Sequence, residues 1–266
     1  MALSSLVADY DALILDLDGC VYVGEEATPG APEAIEALRT EGKGVVFVTN
    51  DSRHAVEDYV QKLWRLGVRA AVADVVSVGA AVQHLLARTL PGRGAFVIGT
   101  EAFRRHVADA GLVLLNGRPE ADHADVVIVA GPDELSYDDL RSATLSVRAG
   151  ANFIATGRDS TYPMPDGLWP GTGAILAAVE YATDRRAEIV GKPEPGLFHI
   201  ALDRLGPGRV LAVGDRLDAD VAAAERAGLD AALVLTGATS AEEAERDEEP
   251  RPVVVAASLG ALIGVS

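Results

Sequence analysis

The segment ALILDLDG, Ala12 to Gly19, is a short apolar run that ends in two aspartates around a single leucine. A run without polar alternation is what a strand buried on both faces looks like. Three further runs end the same way, in a polar cluster holding a carboxylate, a threonine or a lysine. They are GVVFVTND (Gly44 to Asp51), EIVGKPEP (Glu188 to Pro195) and RVLAVGDR (Arg209 to Arg216). Short Val/Ile/Leu runs alternating with amphipathic stretches predict an α/β fold, a Rossmann-like doubly wound parallel sheet. Ligands of such sheets bind beyond the carboxyl ends of the strands. All four polar clusters are therefore expected on one rim of one sheet.

Outward from these runs, helices are predicted over Ala31 to Thr40, Ser52 to Leu66, Pro195 to Leu205 and Asp218 to Ala227. Proline-rich or Asp/Ser starts and glycine stops mark their ends. The middle of the chain has its own elements. Strands are expected at Ala95 to Ile98, Val126 to Ala130 and Phe153 to Thr156. Helices are expected at Glu101 to Ala110, Ser136 to Ala149 and Thr172 to Ala182. Residues 77–186 thus read as a second α/β domain inserted into a catalytic core of residues 1–76 and 187–266. The charged stretch AEEAERDEEPRP, Ala241 to Pro252, reads as a solvated helix and loop.

Composition narrows the function. The 266 residues are 49% hydrophobic and 24% charged, enough apolar material for a sizeable core. Lys plus Arg number 23 against 40 acids, a net charge of −17. That balance repels phosphate backbones, so neither nucleic acid nor an anionic membrane is an expected partner. The lone Cys20 excludes an intrachain disulfide. The start, MALSSLVADY, has no basic residue and does not read as a signal peptide. The longest uncharged stretch, Val253 to Ser266, is shorter than the roughly 18 residues of a membrane span. A cytoplasmic protein is expected.

The chemistry-bearing residues sit in the four clusters. Asp16 and Asp18 stand two apart at a strand end, so their carboxylates project to one side. Two such charges are costly without a cation between them or a proton on one. Asp215 follows Val213-Gly214, with Asp218 and Asp220 close behind. Oxygen-only ligands of this kind suit Mg²⁺. Asp218 and Asp220 also fall at a helix start, where acids favour the dipole regardless of any metal. Lys192 is one of three lysines against twenty arginines and lies in Gly-Lys-Pro. Its ammonium beside clustered aspartates can neutralise them and hold a phosphoryl oxygen. Thr49 and Asn50 offer a hydroxyl and an amide at the second strand end. No histidine lies in these clusters, no serine sits in a nucleophile elbow, and no Cys/His zinc spacing occurs.

In order, these motifs resemble those of the haloacid dehalogenase (HAD) superfamily, most closely its NagD-like branch of 4-nitrophenylphosphatases and phosphoglycolate phosphatases. DLDGCVYVG (Asp16 to Gly24) resembles the first motif and VTNDSR (Val48 to Arg53) the second. GKPEPGLF (Gly191 to Phe198) resembles the third and GDRLDAD (Gly214 to Asp220) the fourth. The resemblance implies a Mg²⁺-dependent phosphatase acting on a small phosphorylated metabolite, with residues 77–186 as a cap. It implies that Asp16 attacks phosphorus and that Asp18 serves as acid and base. It also implies that Asp16, Asp215, Asp220 and the Asp18 carbonyl hold or order the metal. Thr49, Asn50 and Lys192 would bind the transferring phosphoryl.

Some positions depart from the branch. Asp51 and Ala219 stand where Asn and Thr are usual, and Cys20, in the flap, reads as an inert small residue. In the cap, Arg158 is expected to meet a second anionic group of the substrate, and Tyr162 or Trp169 an organic leaving group. The resemblance further implies a homodimer through the cap. A phosphotransferase of the same superfamily and a receiver-like phospho-accepting module are the alternatives. Phosphonate cleavage through a cap lysine is disfavoured, because residues 77–186 contain no lysine.

Overall fold

The computed structural model describes residues 3–164, 167–246 and 249–265. Two parallel sheets organise them. The first has six strands, in the order Val254–Ala256, Asp230–Val234, Val210–Gly214, Ala12–Asp16, Gly44–Thr49 and Val75–Ser77. Every pairing in it is parallel. The opening segment therefore forms a central strand, and all five of its residues are buried. Leu13 and Leu15 pack into one apolar cluster, and Ala12 and Ile14 into the other on the opposite face. Each such Leu or Ile contributes about 1.5–3 kcal/mol through burial. Helices flank the sheet and return the chain to its other end, so Asp16, Thr49 and Gly214 all finish on the same rim.

The second sheet has five strands, in the order Glu188–Ile189, Asn152–Ala155, Val126–Val129, Gly94–Ile98 and Val113–Leu114, again all parallel. An antiparallel hairpin, Thr161–Met164 with Gly167–Pro170, projects from it. The helices of this unit fall close to expectation: Glu101–Asp109, Tyr137–Arg148 and Thr172–Thr183.

Three expectations need correction. The run at Glu188 does not end on the rim of the first sheet. Glu188 and Ile189 pair with Ile154 and Ala155 of the second. The amides of Val190 and Gly191 then continue that ladder, to the carbonyls of Ala155 and Thr156. Lys192 reaches the first sheet's rim from a loop.

The helix expected from Ser52 spans only Val56–Arg65. The Asp51 carboxylate instead accepts from the Arg53 amide at 3.0 Å, an Asx turn that holds the chain out of helix. The helix expected from Asp218 begins as a wide turn over Leu217–Val221 and becomes α-helical over Ala222–Arg226. There the Asp220 carboxylate folds back onto the amides of Asp215 and Arg216, at 3.2 and 3.0 Å.

The second unit is knitted by a buried carboxylate. Glu180 accepts from Arg158 Nη1 at 3.0 Å and Nη2 at 2.8 Å, from the Ala187 amide at 3.0 Å, and from Arg186 Nη1. Burial alone would raise its pKa, but these donors hold it down at about 2. A depressed carboxyl pKa stabilises the fold above the unfolded value of about 4.3, and that stabilisation fades as pH falls toward 2. Glu180→Ala is accordingly expected to cost about 2–3 kcal/mol at pH 7 in denaturant unfolding. The gap between wild type and variant should narrow near pH 3; a gap independent of pH would contradict this assignment.

Candidate active site

Three carboxylates converge where the first sheet ends. Asp16 closes the strand Ala12–Asp16, Asp215 follows Val210–Gly214, and Asp220 sits in the wide turn beyond. All three are buried, and one oxygen of each lies within 4.8 Å of the others. Lys192 bridges two of them. Its Nζ stands 2.5 Å from Asp16 Oδ1 and 2.6 Å from Asp220 Oδ1. Burial opposes charge on this ammonium, but the two carboxylates outweigh it and raise the lysine pKa, so Lys192 stays protonated.

The backbone closes tightly around Asp215. The Ala238 amide donates to its Oδ2 at 2.5 Å. Gly19, with φ +84°, and Gly237 approach so closely that a Cβ on either would strike the carboxylate. Gly19 is held to glycine twice over, since its left-handed backbone also disfavours L side chains.

One ammonium does not balance three buried carboxylates. Burial, and then the charge of Asp220, push Asp215 up to about 7, and burial likewise raises Asp16 despite Lys192. The group is short of positive charge, and its donors are hard oxygens. Both features fit Mg²⁺, a small dication that takes few carboxylates and keeps several waters.

Asp18 stands apart from these three. It is half-buried beside Asp51, Lys62 and Arg53, and burial together with the Asp51 charge raises it to about 6. Such a group carries its proton over part of the working pH range, as a general acid must. Asp51 itself is held low against its burial by Arg53, whose Nε donates to it at 2.9 Å.

The second motif serves the third. Asn50 Nδ2 donates to the Lys192 carbonyl at 2.9 Å, and the Lys192 amide donates to Asn50 Oδ1 at 2.8 Å. This two-point clamp fixes the lysine backbone across 142 residues of sequence. It depends on Gly191, where a Cβ would collide with both Asn50 and the Thr156 carbonyl. Asn50 therefore positions Lys192, a role that its placement at a strand end did not disclose. Thr49, also buried, accepts from the Asp51 amide at 3.0 Å and keeps its own hydroxyl proton to donate.

Arg158 is not brought to this cluster, because its guanidinium fork is taken up by Glu180. Other residues of the second unit meet the rim instead. Tyr162 lies beneath the Arg53 guanidinium, 4.6 Å from its ring centre, with Trp169 edge-on to it at 6.4 Å. Asp159 lies 3.7 Å from Arg216, the residue after Asp215. Arg53, Asp159 and Arg216 were missed in the sequence; the Arg that follows the Asp of GDR was the available signal for one of them. Cys20 is fully buried, its thiol pKa is raised well above the ordinary range by burial, and it fits the role of a small core residue.

Comparison with known proteins decides the family. Residues 13–113 match the model described as haloacid dehalogenase-like hydrolase, and residues 189–262 match a second, HAD-hydrolase-like model. The chain belongs to the haloacid dehalogenase-like hydrolases. It is 37% identical to D-glycerol 3-phosphate phosphatase of Mycobacterium tuberculosis, over 94% of this chain and 69% of that one. It is 33% identical to an acid sugar phosphatase of Staphylococcus aureus, over 91% and 92%.

Solved structures agree. The M. tuberculosis glycerol phosphate phosphatase in complex with magnesium superposes with a TM-score of 0.88 at 36% identity, covering 99% of this chain and 79% of that one. A 4-nitrophenylphosphatase from Thermotoga maritima gives 0.87 at 32%, covering 97% and 98%.

The clamp on Lys192 has a measurable consequence. Asn50→Ala frees the lysine backbone while leaving its side chain intact, and a misplacement of this order costs roughly 10–100-fold in rate. Steady-state kinetics with 4-nitrophenyl phosphate should place that loss mainly in kcat. A loss confined to KM would make Asn50 a substrate ligand and not a positioning residue.

Proposed function

We propose that this chain is a magnesium-dependent phosphomonoesterase that cleaves a small phosphorylated metabolite through an aspartyl-phosphate on Asp16. The phosphatase class and the metal rest on the family, on relatives named as phosphatases and on the magnesium complex of one of them. The covalent route rests on one observation: Asp16, its Oδ1 2.5 Å from the Lys192 ammonium, stands in the carboxylate cluster with Asp18, raised to about 6, two residues away.

In the first step an Asp16 oxygen attacks phosphorus as the bond to the leaving oxygen breaks. The leaving oxygen takes the proton of Asp18. Asp18, now a carboxylate, accepts a proton from water as that water attacks phosphorus. The bond between Asp16 and phosphorus breaks, and inorganic phosphate leaves. Lys192 holds positive charge beside the phosphoryl oxygens throughout, and the Thr49 hydroxyl is free to donate to one of them. Magnesium bound by Asp16, Asp215 and Asp220 would supply the charge that offsets the developing negative charge on the phosphoryl group.

The second unit, expected as residues 77–186 and extended by the strand Glu188–Ile189, acts in this reading as the cap that shelters the site and selects the leaving group. A sheltered site favours small metabolites over phosphoproteins, and the relatives suggest a polyol or sugar phosphate. Exposed Tyr137, Leu145 and Tyr181 on the helices of the second sheet support a homodimer through the cap. A cytoplasmic location belongs to the same reading; no helix among the described residues is long and apolar enough to cross a membrane. A receiver-like role is disfavoured by Asp18, whose acid–base function shortens the life of a phosphoenzyme.

The leaving group tests the assignment of Asp18. A 4-nitrophenolate departs without a proton, whereas an alkoxide needs one. Asp18→Asn should therefore lose at least about tenfold more kcat on glycerol 3-phosphate than on 4-nitrophenyl phosphate. In single-turnover experiments it should accumulate phosphate on Asp16. Equal losses on both esters with no phosphoenzyme would remove Asp18 from the proton transfers.

A further inference from the structure

Asp159 is an acid of the second unit held against the rim of the catalytic cluster. Its loop leaves the strand Asn152–Ala155 and is pinned before it reaches the hairpin. The Gly173 amide donates to the Asp159 carbonyl at 2.9 Å, and a Cβ on Gly171 or Gly173 would run into the backbone of residues 158–159. The carboxylate also approaches the Asn50 clamp. Asp159 Oδ2 and Asn50 Nδ2 lie 2.8 and 3.3 Å from the one point where a Cβ on Gly157 would stand.

Asp159 is thus set beside the residue that carries Lys192, facing the catalytic group from the opposite unit. Its side chain is 24% exposed. Among the described residues its carboxylate has one ion-pair partner within 4 Å, Arg216 at 3.7 Å, and accepts no hydrogen bond. Arg216 spends Nε and Nη2 on Asp218, both at 3.1 Å.

A fixed carboxylate at the edge of a phosphoryl site has a definite chemistry. When ionised it accepts hydrogen bonds and donates none. Hydroxyl groups on a leaving group can meet it with charge-assisted bonds. A second phosphate or a carboxylate brought to the same place would face a like charge that Arg216, committed to Asp218, offsets only in part.

We propose that Asp159 is the specificity-determining residue of this phosphatase, accepting the hydroxyl groups of a polyol leaving group and turning away leaving groups that carry a second anion. The inference rests on the phosphatase reading and names its substrate class. The pinned loop means that the acceptor is in place before substrate arrives, so little ordering is needed on binding.

The test compares kcat/KM of wild type, Asp159→Asn and Asp159→Ala on glycerol 3-phosphate, phosphoglycolate and 4-nitrophenyl phosphate in Mg²⁺. Both variants should lose at least about tenfold more on glycerol 3-phosphate than on 4-nitrophenyl phosphate, chiefly through KM. The ratio of phosphoglycolate to glycerol 3-phosphate hydrolysis should rise by at least about tenfold. Parallel losses on all three esters, or unmoved ratios, would reduce Asp159 to a structural residue and overturn the proposal. Failure of the wild type to release phosphate from any of the three would instead sink the phosphatase reading, and this inference with it.

Discussion

The Lys192 ammonium, held between Asp16 and Asp220, is the contact on which the rest of the arrangement depends. Burying three carboxylates within a few ångströms is prohibitive unless positive charge is buried with them. Lysine supplies one such charge and leaves a shortfall that a dication can fill. Much of the surrounding structure keeps that ammonium where it is. The Asn50 amide clamps the lysine backbone, Gly191 allows the close approach, and the loop that carries it grows directly out of the second sheet. Lys192 thus hangs from one sheet and reaches the rim of the other.

That connection couples the two units. Lys192 and Asp159 both arrive from the second sheet, while Asp16, Asp215 and Asp220 belong to the first. Arg53 over Tyr162, and Arg216 near Asp159, add two contacts between charged or aromatic side chains on the flanks. Motion of one unit against the other would shift Lys192 and Asp159 relative to the three carboxylates. In a phosphoryl transfer governed by positioning and electrostatics, such placement sets the rate.

Much of this was legible in the sequence. The unbroken apolar runs announced strands buried on both faces, and the aspartates that follow them announced a cluster of carboxylates on one rim. What stayed hidden had physical causes. The run at Glu188 reads like the others, but only tertiary pairing decides which sheet it joins. The acids at Asp51 and Asp220 look like helix-start residues, yet each bends back onto nearby amides and delays its helix. Arg158 looked like a free cation in a specificity loop; its partner Glu180 lies 22 residues onward, on a helix whose inner face periodicity alone does not assign. Asn50 was read as a phosphate ligand because a clamp across 142 residues leaves no local pattern.

The account's central claim is that the cluster of Asp16, Asp215 and Asp220, with Lys192 as its one ammonium, is two positive charges short without magnesium. Thermal unfolding of the metal-free protein, titrated with Mg²⁺ at constant ionic strength, tests it most directly. Ligand linkage predicts about 2.7 kcal/mol of stabilisation at a hundredfold excess over Kd, a rise in Tm of roughly 5–10 °C for a chain of this size. Asp215→Asn removes one charge and one ligand, and should melt higher than wild type without metal while losing most of the response to Mg²⁺. A wild type indifferent to Mg²⁺, or a variant that responds as strongly, would contradict the account.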